Sequence, residues 1–429
     1  MTWQPDCERM DREELEQLQL ERLEATVSRV YRNVPFYRKR FDELRFDPED
    51  LRSLADLRRL PFTTKQDFRE NHPYGLFAVP LRDVVRVHAS SGTTGLATAV
   101  GYTRNDLKTW ADLVARVLVA GGVGKDDVVQ VAFDYGLFTG AFGFHHGAER
   151  LGASVIPVSS ASAKRQIQIM QDYRSTALVT TPSHGLLLAD ALLEAGIDRN
   201  ALSLRYGLFG AEPWSESLRK ELEEKLRVLA TDNYGLSEVL GPGVSAECLE
   251  RDGLHLAEDH FLVEVIDPDT LEPVPEGQVG ELVLTTLTRE ALPVIRFRTR
   301  DLTSVSSGPC PCGRTLARMS RVKGRTDDLL IVKGARVFPS EIEAVLFEME
   351  GTAPHYQIVL DRKSGEDLAT VLVEASGEPG APGRAELQAA IERRLALELG
   401  VSVAVRLVDG KTLQRFDGKA RRVIDNRAS

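Results

Sequence analysis

The sequence predicts an α/β fold, with a large N-terminal domain, a β-rich subdomain and a small, mobile α+β C-terminal domain. Between residues 128 and 236, short apolar runs alternate with helical patterns, which is typical of a largely parallel sheet covered by helices. After Phe261 the apolar residues recur with a period of two between turn-forming residues, which predicts hairpins. The C-terminal segment carries a third pattern, in the order βαββαβ.

Length and charge limit the classes of function open to this chain. Its 429 residues exceed what one hydrophobic core usually supports, so two or three domains are expected. With 54 Lys and Arg against 64 Asp and Glu, the net charge of -10 argues against nucleic acid or an anionic membrane as a partner. The N-terminus is charged, and no later run approaches about 18 apolar residues, so we expect a cytoplasmic enzyme.

The predicted parallel sheet is built from five apolar runs. They span residues 128–133, 154–158, 177–181, 206–209 and 228–232. The segment 215–226 has an apolar stripe and Glu/Lys pairs on its other face, as expected of a covering helix. Because ligands of such sheets bind at the carboxyl ends of the strands, functional residues are expected directly after these runs.

The C-terminal domain is predicted to begin at Asp327, in a polar segment with the composition of a hinge. It contains strand-like runs at residues 329–337, 356–361, 369–375 and 402–408, and helical runs at 340–349 and 385–399. We therefore expect an N-terminal α/β domain over 1–326, with its β-rich subdomain near 240–326, and a C-terminal lid over 327–429.

One segment has the composition of a phosphate-binding loop. It consists of Ser90, Ser91, Gly92, Thr93, Thr94 and Gly95. Glycines let the backbone approach an anion, successive N–H groups can surround it, and hydroxyl groups add donors. The spacing is not that of a Walker loop, and no lysine follows. An ordinary polar turn is the alternative interpretation of this segment taken alone.

Further motifs follow the loop in a fixed order. They are Asn233-Tyr234-Gly235-Leu236-Ser237-Glu238, Arg298-Thr299-Arg300-Asp301, Gly324-Arg325-Thr326-Asp327-Asp328 and Gly418-Lys419. Together with the loop they resemble the acyl-adenylate-forming superfamily. The strings YRNVPFYRKRFDE, DYGLFTGAFGFHHGAERLGA and VFPSEIE are similar to those of the phenylacetate–coenzyme A ligase family, and the resemblance runs from about residue 30 to 427.

The resemblance implies a two-step reaction that uses ATP, Mg²⁺ and coenzyme A. The carboxylate of a small aromatic acid attacks the α-phosphate of ATP, which gives acyl-AMP and pyrophosphate. The thiol of coenzyme A then displaces AMP. The family likeness also implies a homodimer.

Several nucleotide contacts are implied by the same resemblance. The loop 90–95 would hold the β- and γ-phosphates, and Tyr234 would stack on the adenine beside Asn233. The wall of the adenine site would be formed by Gly210, Ala211, Glu212 and Pro213.

Charged residues of the motifs receive the remaining roles. Glu238 would hold Mg²⁺, a hard cation that prefers carboxylate and phosphate oxygens. Asp301 would accept hydrogen bonds from the ribose hydroxyls, with Arg325 as a further nucleotide contact. Lys419 would stabilise the charge that develops during adenylation, and Asp327 would be the hinge of the lid. A surface lysine in a basic tail is the alternative for Lys419.

One departure from the family pattern directly follows the loop. Leu96-Ala97-Thr98 stands where the family usually has Lys-Pro-Thr, so one cation near the phosphates is missing. Backbone donors and Mg²⁺ can hold the anion without it, and we therefore expect weaker ATP binding with activity retained.

A second departure concerns the acid pocket. The resemblance places this pocket at Tyr135, Gly136, Ala141, Phe142, His184, Ala211 and Pro242. Larger side chains than usual at 141, 142 and 144 predict a shorter cavity, and His184 offers a partner for an ortho amino or hydroxyl group. These changes favour a benzoate-type acid such as anthranilate over phenylacetate. Neutral drift with compensating shifts is the alternative.

The cysteines suggest a structural metal site. Cys248, His255, Cys310 and Cys312 have the number and chemistry of a closed Zn²⁺ site. His260 competes with His255 as the fourth ligand but belongs to the EDHF string of the family. Unrelated reduced thiols are the alternative. Four protein ligands leave no open position, so the zinc would stabilise the β-rich subdomain.

Other functions share part of this pattern. An adenylating enzyme that loads the phosphopantetheine of a carrier protein would carry the same motifs. A nucleotide-binding regulator without chemistry is disfavoured, because it has no need of the distant Lys419. A serine hydrolase is disfavoured because the sequence has no G-x-S-x-G motif.

Overall fold

The structure, a computed structural model, describes residues 1–90, 97–159, 161–333, 335–363, 366–376, 383–414 and 422–427. The predicted α/β class is confirmed, with mixed sheets in a large N-terminal part and a small C-terminal part. None of the helices in these ranges combines the length and apolar character needed to cross a bilayer.

Helices and strands alternate through most of the described chain. The helices are α1 (Pro5–Glu8), α2 (Arg12–Asn33), α3 (Pro35–Glu43), α4 (Lys65–Glu70), α5 (Arg104–Ala120), α6 (Thr139–Leu151), α7 (Ala163–Asp172), α8 (Pro182–Glu194), α9 (Glu216–Leu226), α10 (Pro339–Glu348) and α11 (Arg384–Leu399). The strands are β1 (Arg86–Ala89), β2 (Ala99–Tyr102), β3 (Val128–Val131), β4 (Ser154–Pro157), β5 (Ala177–Thr180), β6 (Tyr206–Gly210), β7 (Leu229–Leu236), β8 (Gly241–Glu247), β9 (Leu254–Leu256), β10 (Phe261–Ile266), β11 (Gly280–Thr286), β12 (Phe297–Thr303), β13 (Val305–Ser306), β14 (Arg318–Met319), β15 (Gly324–Arg325), β16 (Leu330–Val332), β17 (Ala335–Val337), β18 (Thr352–Lys363), β19 (Glu366–Ala375), β20 (Ala404–Val408) and β21 (Val423–Asp425).

The central sheet contains all five predicted parallel strands, in the order β4-β3-β5-β6-β7. Helices α5 and α6 pack together on one face, whereas α7 and α9 pack against α8 on the other. Beyond β7 the sheet continues antiparallel through β8, β9, β14 and β13. Strand β7, which was predicted over 228–232, continues to Leu236 because β8 pairs with its end. This pairing places Asn233 opposite Ala246.

A second sheet forms the β-rich subdomain, in the order β10-β11-β12-β15. The predicted hairpin is confirmed, with Phe261 opposite Thr286 and Ile266 opposite Glu281. Strand β12 then places Asp301 opposite Arg325 in β15. This pairing brings two of the sequence motifs side by side.

The C-terminal part has its own apolar core between α10, α11 and the sheet β20-β19-β18-β21. The single strand predicted over 329–337 is wrong, because the segment forms a hairpin of β16 and β17 with Lys333 at a positive φ of 48° in its turn. Strand β21 was not predicted, since its three residues give too short a pattern to recognise.

A buried ion pair joins the central sheet's helices to the β-rich subdomain. Arg116 on α5 donates two hydrogen bonds of 2.7 Å to the Asp259 carboxylate. The Asp259 side chain is fully buried, and His260 lies 3.2 Å from it. Burial alone would raise the pKa of Asp259, but His260 and Arg116 lower it well below the ordinary value. Two charges are therefore held in the core by their pairing.

Replacing Arg116 with Met keeps much of the side-chain volume but leaves the buried Asp259 without its main partner. We expect the free energy of unfolding to fall by about 3 kcal/mol, measured by urea denaturation. The control is Arg150→Met, which removes an exposed pair with Asp112 and should cost less than about 1 kcal/mol. Equal effects of the two changes would contradict this account of the core.

Candidate active site

A cleft of about 730 Å³ lies beyond the carboxyl ends of β6 and β7. Predicted site residues that line it are Ser90, Ala211, Glu212, Pro213, Asn233, Tyr234, Glu238, Asp301, Arg325 and Asp327. These residues come from motifs far apart in the sequence, and the fold brings them to one edge of the central sheet, as expected for a parallel α/β sheet.

The centre of the cleft is a chain of hydrogen bonds around Asp301. The Tyr234 hydroxyl donates to one carboxylate oxygen of Asp301 at 2.5 Å, and Arg325 Nη1 donates to the other at 2.6 Å. Arg325 also holds Asp327 through two hydrogen bonds, of 2.9 and 3.1 Å. Burial, and secondly the charge of Asp301, raise the pKa of Tyr234 well above its ordinary value, so the phenol remains a donor.

The predicted adenine wall begins where β6 ends. The ideal Cβ position at Gly210 lies only 2.4 Å from the backbone oxygen of Asn233, so no side chain fits there. The Asn233 amide donates to the Phe209 carbonyl at 2.7 Å and fixes β7 beside the wall. Ala211 follows with a positive φ of 70°, which turns the chain away from the sheet and into the cleft.

Glu238, the predicted magnesium ligand, is buried in the cleft wall with an exposed fraction of 4%. Lys65 Nζ lies 3.9 Å from its carboxylate, at the start of α4. Sequence reasoning did not identify Lys65, although it stands in the family-like string LPFTTKQDF. Spacing could not reveal it, because it lies far from every motif along the chain.

The residues predicted for the acid pocket are not all brought together. The rings of Tyr135 and Phe142 pack edge to face at 5.2 Å, and Pro242 accepts a hydrogen bond from the buried Trp110. Ala141 is buried in the core on the same helix as Phe142. His184 is buried near the start of α8, on the opposite face of the central sheet from α6.

Two of the altered positions, Phe144 and His184, make their contacts inside the protein. Phe144 is 1% exposed and stacks on Phe133 within the core. The His184 Nε2 atom lies 3.0 Å from the Gln166 amide nitrogen. Gly136 follows Tyr135, close to Asp134. Of the residues predicted for the acid pocket, Ala211 lines the cleft itself.

Some predicted residues fall outside the described part of the chain. They are Ser91, Gly92, Thr93, Thr94 and Gly95 of the loop, Leu96 after it, and Lys419. Their roles remain predictions.

The four predicted zinc ligands are clustered. Their ligand atoms all lie within 4.8 Å of one another. Cys248 Sγ and Cys310 Sγ are 3.8 Å apart, and Cys312 Sγ lies 3.4 Å from His255 Nε2. Tetrahedral zinc with Zn–S bonds of about 2.3 Å places two sulfurs about 3.8 Å apart, so the cluster fits the metal.

The orientation of His255 also suits a metal ligand. Its Nδ1 faces the Leu316 carbonyl oxygen at 3.3 Å and must therefore carry the proton, which leaves a lone pair on Nε2. Burial lowers the pKa of His255 to about 4, so the imidazole is neutral at pH 7. His260, the competing candidate, contacts Thr288 and Asp259 instead.

Known proteins match this chain along its whole length. The AMP-binding enzyme family matches residues 24–287, and the AMP-binding enzyme C-terminal domain matches residues 334–427. A phenylacetate–coenzyme A ligase of Thermus thermophilus is 48% identical over 100% of both chains.

Solved structures of a 2-hydroxyisobutyryl-CoA ligase are similar in fold. The postadenylation state in complex with 2-HIB-AMP has a TM-score of 0.93 at 32% identity, over 99% of this chain and 92% of that one. The thioesterification state of the same ligase has a TM-score of 0.73 at 33% identity, over the same shares of the two chains. By sequence, architecture and the residues gathered in its cleft, the chain belongs to the phenylacetate–coenzyme A ligase family of AMP-binding enzymes.

Proposed function

We propose that this chain is an AMP-forming ligase that activates an arylacetic acid, with phenylacetate as the parent compound, and transfers it to coenzyme A. The observation that carries the proposal is the Tyr234–Asp301–Arg325 network, set in one cleft with Glu238. Tyr234 offers a surface for a base, Asp301 offers acceptors for a ribose, and Glu238 offers a carboxylate for a metal ion. Free coenzyme A is favoured over a carrier protein, because the full-length relative is named as a coenzyme A ligase.

The first half-reaction joins the acid to AMP. One carboxylate oxygen of the acid forms a bond to the α-phosphorus, and the bond to the bridging oxygen of pyrophosphate breaks. Glu238 is the residue that would hold Mg²⁺, which supplies positive charge to the phosphates as they separate. Asp301 orients the ribose, while the 90–95 loop and Lys419 are proposed to contact the phosphates. In the second half-reaction the thiol of coenzyme A bonds to the acyl carbon, and AMP leaves.

The choice of phenylacetate over benzoate or anthranilate follows from the packing. Phe144 and Ala141 are buried in the core, so their bulk has little effect on the length of the cleft. The His184 imidazole is next to Gln166 inside the protein, which leaves it poorly placed for an ortho substituent. Only Phe142 of the enlarged positions stays half-buried beside Tyr135. The altered residues therefore give little reason to expect a shortened pocket.

The C-terminal lid is proposed to span 327–429 and to rotate about Asp327, against an N-terminal domain of 1–326. The C-terminal family match begins at residue 334, and the C-terminal core is built from its own residues. Asp327 is exposed, and in the described part of the chain its side chain is held through Arg325. It can therefore change conformation at low cost.

A homodimer and a cytoplasmic location complete the proposal, the latter in keeping with free cysteines.

A structural zinc ion is proposed at Cys248, His255, Cys310 and Cys312. These residues connect the central sheet to the loop after β13, and Arg314 two residues later pairs with the buried Glu8 at 2.6 Å. The metal would hold this loop in place and so anchor α1. It is not proposed to take part in the chemistry, because all its positions are filled by the protein.

The acid is tested by ATP–pyrophosphate exchange with phenylacetate, benzoate and anthranilate, followed by thioester formation with coenzyme A. We expect kcat/KM for phenylacetate to exceed that for the two shorter acids by about tenfold or more, because a missing methylene removes apolar contact. A preference for anthranilate would contradict the choice of acid but not the reaction. Exchange that proceeds equally without any acid would contradict the proposed function.

Lys65 is proposed to contact the phosphates in place of the loop lysine that Leu96 replaces. We expect Lys65→Met to raise KM for ATP in the exchange reaction by about tenfold or more, because a charge-assisted hydrogen bond is lost. Lys39→Met serves as the control, since the Lys39 side chain is 78% exposed and pairs only weakly with Glu43. An unchanged KM and rate in the Lys65 variant would show that this cation has no part in ATP binding.

The zinc proposal is tested by metal analysis of protein purified without chelators, which should contain about one zinc per chain. Cys312→Ser should lower the zinc content and the thermal unfolding midpoint, because one of four ligands is lost. Cys7→Ser, which alters the cysteine outside the cluster, should leave the zinc content unchanged. Wild-type protein without zinc would remove the site.

A further inference from the structure

A buried histidine on β1 has no role in the proposed reaction. His88 on β1 is 3% exposed and is surrounded by aromatic rings. Its ring centroid lies 5.5 Å from that of Tyr102, 5.9 Å from Trp110 and 5.4 Å from Phe142. An imidazole in such apolar surroundings requires partners for both of its nitrogens.

One nitrogen of His88 is satisfied, and this contact fixes the tautomer. Nδ1 lies 3.1 Å from the Leu137 carbonyl oxygen, which can only accept, so Nδ1 carries the hydrogen. Burial lowers the pKa of His88, and the ring is therefore neutral at pH 7. Nε2 then bears a lone pair, and no residue in the described part of the chain donates to it. His88 thus presents a buried hydrogen-bond acceptor.

A buried donor lies next to it. Because alternate residues of a strand share a face, Arg86 points to the same side of β1 as His88. The guanidinium carbon of Arg86 lies 5.2 Å from the Phe142 ring centroid, so both groups contact one ring. Arg86 Nη1 is buried, and the described residues offer it no acceptor. The two side chains together provide one donor and one acceptor.

Residues close in the chain to His88 and to Phe142 line the cleft. Ser90 lines the cleft and lies two residues beyond His88, about 7 Å along an extended chain. Phe138 also lines the cleft and lies one helical turn before Phe142, about 6 Å along α6. Thr139, the residue after Phe138, shares a hydrogen bond of 2.9 Å with Ser237 in the cleft wall. Phe142, whose ring both His88 and Arg86 contact, therefore lies one helical turn from the cleft lining at Phe138.

We propose that His88 and Arg86 bind a hydroxyl group on the aromatic ring of the acid, at the end away from its carboxylate. The hydroxyl oxygen accepts a hydrogen bond from Arg86 Nη1, and the hydroxyl proton is donated to His88 Nε2. A hydroxyl is both donor and acceptor, whereas a carboxylate cannot donate to His88 and a methyl group can do neither. The inference rests on the proposed function, because it takes the ring of the acid to lie beside Phe142.

The test compares hydroxyphenylacetates with methylphenylacetates substituted at the same ring position. Hydroxyl and methyl groups are similar in size, so the ratio of their kcat/KM values isolates the hydrogen bonds. We expect the wild type to prefer the hydroxyl acid by about tenfold or more at one ring position. In both His88→Phe and Arg86→Met this ratio should fall to about one. Arg82→Met, an exposed arginine on the preceding turn, should retain the wild-type ratio.

The possible outcomes separate this inference from the proposed function. A wild-type enzyme that adenylates phenylacetate and the methyl acids without preferring a hydroxyl would overturn the inference alone, with an ordered water as the partner of His88. A preference that survives in the Arg86 or His88 variant would also overturn it. If His88→Phe does not fold, the wild-type ratio and Arg86→Met still decide. Absence of acid-dependent pyrophosphate exchange with every acid would overturn the proposed function and the inference together.

Discussion

The carboxylate of Asp301 connects the central sheet to the β-rich subdomain, next to the segment that leads to the C-terminal part. It receives the Tyr234 hydroxyl from the central sheet and Arg325 from the strand that leads to the C-terminal part. Asp301 itself lies on β12 of the β-rich subdomain. Since Asp301 is buried, each of these donors offsets part of the cost of removing its charge from water. The position of the cleft walls relative to one another depends on this shared group.

The same interaction leads toward the proposed lid. Arg325 is held by Asp301 on one side and holds Asp327 on the other, so a nucleotide at Asp301 would also act on the segment before the proposed lid. The described conformation is more similar to the postadenylation state of 2-hydroxyisobutyryl-CoA ligase than to its thioesterification state, with TM-scores of 0.93 and 0.73. Rotation about Asp327 would account for a difference of this kind without altering the central sheet.

Sequence patterns predicted the regular parts of the fold and the motif residues of the cleft. Tyr234, Asp301 and Arg325 were found because each stands in a contiguous motif. The contacts of Lys65 and His88 were missed, because they are made with neighbours distant in the chain: Glu238 for Lys65, and Phe142 for His88. The altered residues of the acid pocket are ambiguous in the sequence for a related reason. A substitution in a motif looks the same in the sequence whether the side chain lines a cleft or packs in the core, as Phe144 does.

Adenylate formation is the central claim, and oxygen transfer tests it most directly. The protein is supplied with phenylacetate labelled with ¹⁸O in both carboxylate oxygens, ATP, Mg²⁺ and coenzyme A, and the products are analysed by mass spectrometry. If the carboxylate attacks the α-phosphate and the thiol then breaks the acyl C–O bond, one ¹⁸O remains on AMP and one in the thioester. Label in pyrophosphate or inorganic phosphate, or its absence from AMP, would contradict the acyl-adenylate route.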